Sequence, residues 1–536
     1  MKKLKTAYRW LRIPLGLAAI TLAYWAQNRI VNGVVPPESV TGYVIAVFLF
    51  AAAFATTETV RFAGGRLFSP SEPSSPVVPL KRIMIGLSAL GVALSAAGVW
   101  RFAVGDNRSG WLLFIASVFV YAISFAEFSW KRLASREERL ETESGSWGKA
   151  TLRWLLGVVP FLVLIGLALA LRLPDLGTHP YGFWYDEAAA GLAATRILNG
   201  QTPWPIWSAI LAVSPHYHFI TAISIALFGP EITTLRMQSV LMGTSAVVLS
   251  YLLFRRWFGM RFGLIAAGLW AALRYMIIWS RLGQDWISVL PFETAILLLF
   301  DLGLETKKLR YFAWAGLTMG ISIAFYYPNR LFVAVVVGYG FLLLGAWLIR
   351  RVLQRRAGGA ARAGMLPIRQ VLGRGAAVVG IVSLSAVISG MPVGYYAVTN
   401  WAEFNARQAT VSIFSKRDEP DLGKALQSQI QKHVLMYNVR GDPNPRHNFP
   451  GDPMLDPIMG SLAVLGLAYA LTRFYRPANA LMLLTFSIML AGAILSIDFE
   501  APQSLRAIGT QPAIIYFATL PLALLGKATS EQLAPL

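Results

Sequence analysis

The 536 residues contain no cysteine, which excludes disulfides and thiolate metal sites. Charge is scarce as well. Asp, Glu, Lys and Arg make up 14% of the chain, against about 25% in a typical soluble domain. Acidic residues are the scarcest, 27 against 48 Lys and Arg. Too few charges are present to clothe a soluble surface. What fills the chain is apolar: 56% of residues are hydrophobic and the mean hydropathy is +0.54. Runs such as "GLAAITLAYWA", "VIAVFLFAAAFA" and "LTMGISIAF" belong to stretches near the roughly 20 residues that cross a bilayer. Barrel strands would instead show roughly 10-residue segments of alternating polarity. The expected fold class is therefore an all-α polytopic membrane protein, without a visible internal repeat or a soluble domain at either end.

The net charge of +21 would suggest nucleic acid in a soluble chain. Here it is read as Lys and Arg gathered in cytoplasmic loops, so no nucleic-acid partner is expected; the partners are membrane lipids and substrates. "MKKLKTAYRWLR" before the first apolar run reads as an uncleaved first helix. Spans at about 13–28, 41–59, 83–100 and 110–128 form an N-terminal four-span module (1–130). A charged linker follows (131–150), in which "SREERLE" reads as a short surface helix. The remaining spans (151–530) follow in register only if "HYHFITAISIALFG" (216–229) does not cross. At 14 residues it suits an interfacial or re-entrant segment. The basic "RRWFGMR", "ETKKLR" and "RRVLQRRAGGAARAGMLPIRQ" then fall inside, as does "TRFYRPAN" (472–479). "SRLGQD", "YYPNR", the long segment 393–455, with an amphipathic helix in "PDLGKALQSQIQKHVLM", and "SIDFEAPQSLRAIG" (496–509) fall outside. About fourteen spans result, with both termini in the cytoplasm of a plasma (inner) membrane.

By this topology, the stretch "HPYGFWYDEAAAGLAATRILNG" (179–200) lies on the external face. Its adjacent carboxylates, Asp186 and Glu187, have two readings. Asp186 can be the N-cap and Glu187 the first-turn acid of an alanine-rich helix closed by Gly200, or the pair can do chemistry. The same face gathers Asp175, His179, His216, Tyr217, His218, Arg281, Asp285, Tyr326, Tyr327, Arg330 and Arg506. An arginine at the outer edge can snorkel to lipid headgroups or grip phosphate with its fork of donors. Carboxylates and arginines together suit a sugar leaving a polyprenyl phosphate. The leaving group needs positive charge, and the attacking hydroxyl needs a base. A transporter or flippase is the rival reading, for which Glu293 in "VLPFETAILLLF" is the chief candidate. A non-catalytic scaffold is a third.

An apolar span followed by "WYDEAAAGLAATRIL" resembles the first external loop of polyprenyl-phosphate-dependent glycosyltransferases of the GT-C fold. The resemblance is to glycosyltransferase family 39, the protein O-mannosyltransferase-like group, and to the aminoarabinose transferases. "SPHYHFITAISIALFGPEITTLRMQSVLMG", "IIWSRLGQD" and "YYPNRLF" continue it in order over roughly 150–530. The resemblance implies a GT-C bundle with external juxtamembrane helices and an inverting transfer from a polyprenyl-phosphate sugar donor to a hydroxyl-bearing acceptor (protein, glycan or lipid). It implies Asp186 as general base, with Glu187 supporting it or meeting the acceptor, and Arg281, Arg330 and Arg506 on the donor phosphate. Tyr185, His216, Tyr217, His218, Asp285, Tyr327, Arg446 and His447 stand beside them as substrate-binding candidates, the last two in a loop that covers the site or contacts the acceptor. The chain departs from the aminoarabinose transferases at Ala189 and Val213, where those place an Arg and a Lys, so lipid A is disfavoured as acceptor.

His216 and His218 can hold a divalent metal or serve as hydrogen-bonding interface residues. The resemblance implies that no metal cofactor is required. "GDPNPRHNFPGDPMLDP", with Arg446 and His447, covers the site or shapes a turn.

Overall fold

The computed structural model describes residues 2–57, 60–62, 82–126, 147–208, 212–356, 367–415 and 421–533. The expected helix "SREERLE" and most of the 131–150 linker lie outside the described residues.

Helices dominate the described residues, where strand pairing is limited to isolated bridges such as Ser412 with Ser496. The first four are α1 (Lys2–Asn28), α2 (Pro37–Phe54), α3 (Arg82–Ala103) and α4 (Asn107–Ile123). Next come α5 (Trp147–Ala170), α6 (Tyr185–Leu198), α7 (His216–Phe228), α8 (Ile232–Phe258), α9 (Met260–Ala272) and α10 (Arg274–Ser280). They are followed by α11 (Val289–Thr306), α12 (Leu309–Ile323), α13 (Pro328–Arg356), α14 (Ile368–Ser389), α15 (Met391–Thr399) and α16 (Trp401–Val411). The last four are α17 (Leu422–Leu435), α18 (Pro457–Thr472), α19 (Pro477–Ile494) and α20 (Gln511–Leu533).

Among the described residues, eight helical segments are long and apolar enough to cross a membrane, or nine with α9 and α10 taken as one span bent by 61°. The protein is an all-α polytopic membrane protein. The count is smaller than the fourteen apolar runs of the sequence because several runs form short helices. Asn107–Ile123 and Pro457–Thr472 are 17 and 16 residues long. The apolar run at 216–229 forms the 13-residue α7, ended by Gly229 at φ 85°, a backbone state that favours glycine. The amphipathic helix expected near 420–436 is α17, capped by the Asp421 side chain on the backbone N–H of Lys424.

The core runs along α20 and the turn before it, where 89% of the residues in the most apolar 18-residue stretch are buried, and along Asp285–Thr306, where 72% of such a stretch is buried. In Arg82–Ala103, Pro328–Leu353 and Ile368–Ser389 the corresponding share is no more than 22%, so their apolar side chains suit lipid contact. Small residues let helices approach closely. Gly316 and Gly320 of α12 form a Gly-x-x-x-Gly step, and a Cβ at either would strike the carbonyl of Val382 or Ala386 in α14. Such spacing lets backbones meet when lipid supplies no hydrophobic drive between helices. Ser389 Oγ adds a bond across the pair to the Leu317 carbonyl, 2.8 Å.

The first four helices form two separate hairpins. α1–α2 packs on α18 and α20, and α3–α4 packs on α12, α14 and α15. Trp111 of α4 donates its indole N–H to the Pro205 carbonyl, 2.9 Å, and its ring meets His216 and Phe219 of α7.

The loops expected outside meet one another. Arg281 reaches the carbonyls of Arg172 and His179, Arg274 reaches Asp452 and Pro453, and Ser504 reaches Asp442. Loops expected inside likewise associate, through Arg256 with Asp301 and Glu305.

Candidate active site

The site begins at the first turn of α6. Trp184 is extended (φ −74°, ψ 151°) and Tyr185 opens the helix. This corrects the placement of Asp186 at the N-cap: the capping acid is Glu187. Its Oε2 accepts the Trp184 backbone N–H at 3.1 Å, three residues back, as the third residue of a helix does in a capping box. The rest of the Glu187 carboxylate is also occupied. Oε1 accepts from Gly283 N at 2.7 Å and from Arg236 Nε at 2.9 Å, and Oε2 accepts from Arg236 Nη2 at 3.1 Å. Both side chains are 1% exposed.

Arg236 completes its set of donors on the Leu176, Pro180 and Gly182 carbonyls, at 3.0, 3.1 and 2.9 Å. One cation from α8 therefore ties the loop 176–187 to the membrane bundle. Sequence reasoning gave it no role, although a lone arginine within an apolar helix is itself a signal.

With capping assigned to Glu187, Asp186 stands apart. It is half-buried, and no hydrogen bond or ion pair with another described residue ends on its carboxylate. It lines a pocket with Tyr217, His218, Asp285, Tyr326 and Tyr327. Five of the residues singled out beside it in the sequence therefore share its cavity. Tyr327 is fixed there by donation from its hydroxyl to the Ala212 carbonyl, 2.6 Å.

The arginines differ sharply. Arg281 Nη1 and Nη2 donate to the carbonyls of Arg172, Pro174 and His179 at 2.9, 2.6 and 3.1 Å. Burial lowers its pKa, as does repulsion from Arg236, with Asp175 opposing both. Arg506 Nη2 is paired with Glu500 at 3.0 Å. Arg330 has neither kind of partner. Its guanidinium lies 4.5 Å from the Tyr327 ring centre and 4.1 Å from that of Phe404. Its buried Nε and Nη1 make no hydrogen bond with any described residue.

A second cleft is lined by Trp184, two residues before Asp186. It measures about 430 Å³ and is lined by Trp184, Asp442, Arg446, Phe499, Glu500 and Gln503, among others. Arg446 lies over the Trp184 ring at 3.6 Å. Its pKa is lowered by burial, against the pull of Asp186, Glu500 and Asp442. His447 is fixed by its Nδ1–Asp442 bond, 2.8 Å, and packs on Trp279. Asp442 also accepts from Ser504 N and Oγ at 2.7 and 2.8 Å, and from Asn444 N at 2.9 Å. Burial works against its charge, but the bonds from His447, Ser504 and Asn444 prevail and hold its pKa below the usual carboxylate value.

Tyr185, next to Asp186 in the chain, is 71% exposed and lines neither cleft. His216 turns to α4, with its ring against Trp111 and Phe114 and its Nδ1 bonded to Ser214 Oγ at 2.8 Å. Positions two apart on a helix point about 200° apart, so His216 and His218 do not converge on one ion. Among the described residues no group of three or more His, Asp or Glu side chains forms a metal site.

Residues 212–368 match the family model described as dolichyl-phosphate-mannose-protein mannosyltransferase. The match includes Tyr217, His218, Arg236, Arg281 and Arg330 and begins beyond Asp186. It fits the family resemblance carried by the sequence landmarks. No curated protein matches the chain. Among solved structures, the oligosaccharyltransferase of Archaeoglobus fulgidus is 15% identical, with 70% of this chain and 51% of that one covered and a TM-score of 0.39. ArnT from Cupriavidus metallidurans in the apo state is 17% identical, covering 70% and 60%, with a TM-score of 0.42. The same protein bound to undecaprenyl phosphate is 16% identical, covering 72% and 63%, at 0.39. The chain thus spans about half to three fifths of the length of these structures.

Proposed function

We propose that the protein is an inverting glycosyltransferase that moves a sugar from a polyprenyl-phosphate donor to a hydroxyl acceptor at the external face of a plasma membrane. The acceptor oxygen attacks the anomeric carbon, and its proton passes to the Asp186 carboxylate. The bond from that carbon to the phosphate oxygen breaks, and its electron pair leaves with the polyprenyl phosphate. Charge builds on the departing oxygen, where a fixed cation is most effective. Inversion follows from the resemblance, as does the absence of a required metal.

The observation that carries this reading is Arg330, a guanidinium with buried, unbonded N–H groups next to Tyr327, which lines the pocket of Asp186. The Tyr327 and Phe404 rings offer the guanidinium their faces but no hydrogen-bond acceptor; buried N–H groups left without one are unfavourable, and a phosphate oxygen would supply it. Arg330 therefore holds the donor phosphate. Arg281, which bonds three carbonyls, and Arg506, which bonds Glu500 through Nη2, support it by shaping the surrounding loops. Glu187 acts as a positioning residue for Asp186.

One observation favours transport instead. Glu293 in α11 is fully buried, and neither carboxylate oxygen has a hydrogen-bond partner among the described residues. Binding of polyprenyl phosphate, followed by native mass spectrometry, tests the transferase reading at its cation. Arg330→Gln weakens binding about tenfold or more, the size of a lost charge-assisted bond, and Arg330→Lys restores part of it. Equal affinity in wild type and Arg330→Gln would remove Arg330 from the donor site.

A further inference from the structure

The cleft beside Asp186 contains features that donor chemistry does not use. Phe499 is 73% exposed and Trp184 40% exposed, both at its wall. Gln503 is only 6% exposed. Its Nε2 donates to Glu500 Oε2 at 2.7 Å, while its Oε1 has no hydrogen-bond partner among the described residues. The backbone N–H of Gln503 donates to His433 Nε2 at 3.1 Å, so the side chain is held from both ends. An unbonded amide oxygen at a buried position calls for a donor from outside.

Resting on the glycosyltransferase reading, we propose that this cleft is the acceptor subsite and that the acceptor is a neutral saccharide. A sugar offers hydroxyls that both donate and accept, so one of them can give its proton to Gln503 Oε1 while a neighbour accepts from Asn444 or Arg446. Its apolar C–H face suits the exposed rings of Phe499 and Trp184. Charge argues against an anionic acceptor. Arg446 faces Asp186, Glu500 and Asp442, and Arg506 offsets Glu500 from behind, leaving little net positive charge to attract a phosphate. A peptide is a poorer match because its backbone amides call for a strand edge or a groove. The volume, about 430 Å³, falls within the roughly 300–1,000 Å³ of small-molecule sites. Arg446 lines the cleft and interacts electrostatically with Asp186, so a sugar seated here lies on the side of the base.

Saturation-transfer NMR on the full chain in detergent tests the proposal without requiring turnover. The probes are methyl mannoside, methyl glucoside and N,N′-diacetylchitobiose, with a serine- and threonine-rich peptide as the rival ligand. At least one saccharide gives a transfer signal, which weakens roughly threefold to tenfold in Phe499→Ala. The signal also weakens in Gln503→Leu. It is unchanged in Phe474→Ala, an exposed ring of the loop expected inside. Because Phe499 is exposed, its replacement leaves the fold intact. No saccharide signal, a signal indifferent to Phe499→Ala, or a signal from the peptide alone overturns the saccharide subsite. Donor consumption is assayed in parallel. If no acceptor, water included, promotes it, the glycosyltransferase reading fails, whatever the NMR shows.

Discussion

Arg236 and Glu187 meet through two hydrogen bonds, 2.9 and 3.1 Å long, with both side chains 1% exposed. The pair joins α8 to the first turn of α6 and leaves the neighbouring Asp186 carboxylate unoccupied. Removing either partner strands a buried charge, which costs about 3–5 kcal/mol. Arg236→Ala and Glu187→Ala should each lower the thermal unfolding midpoint of the detergent-purified protein by many degrees. A midpoint near that of wild type in both variants would show that the pair does not hold the loop.

The α12–α14 contact depends on small residues. Gly320→Ala forces a methyl group against the Ala386 carbonyl and Ser389 Oγ, an overpacking of the kind that costs roughly 1–3 kcal/mol. The same change at Gly340, where an added Cβ meets nothing within 4 Å, should be neutral or slightly stabilising. Equal midpoints for the two variants would contradict the close approach.

Asp442 gives the protein an acid limit. Its folded pKa is depressed, so its contribution to stability is complete above the unfolded value of about 3.9. That contribution is lost as pH falls through the lower folded value. Unfolding midpoints measured from about pH 6 to pH 3 should fall more steeply for wild type than for Asp442→Asn, which cannot titrate at that position. Parallel slopes would show that other groups set the limit.

Sidedness can be read directly because the chain has no cysteine. A single Tyr185→Cys, at an exposed position, should react with a membrane-impermeant maleimide in intact cells. Tyr475→Cys, also exposed but in a loop expected inside, should react only after permeabilisation. Reversed labelling would put Asp186 on the cytoplasmic face.

Much of the fold was legible because bilayers impose a simple code of apolar length and loop charge. The 13-residue α7 and the amphipathic α17 correspond to stretches picked out by length and pattern. The N-terminal four spans read as one module because adjacency in sequence was the available guide. Their division into two hairpins depends on which helix faces fit α18 or α14, and that is not written in local pattern. Within the site, Asp186 and Glu187 are indistinguishable as neighbouring acids. Their difference arises from Arg236 and Gly283, which lie 49 and 96 residues away from Glu187. The outer arginines likewise read as a set, and only tertiary contacts show that Arg281 reaches three carbonyls and Arg506 reaches Glu500, while Arg330 Nε and Nη1 bond no described residue.

The most direct measurement is consumption of a polyprenyl-phosphate sugar by the purified protein in detergent, where there is no second compartment to transport into. Wild type should release polyprenyl phosphate. Asp186→Asn should slow that release by about 10²–10⁴-fold, the scale of general-base catalysis, with an unchanged unfolding midpoint. Release by Asp186→Asn within a few fold of wild type, or none by wild type, would contradict the account.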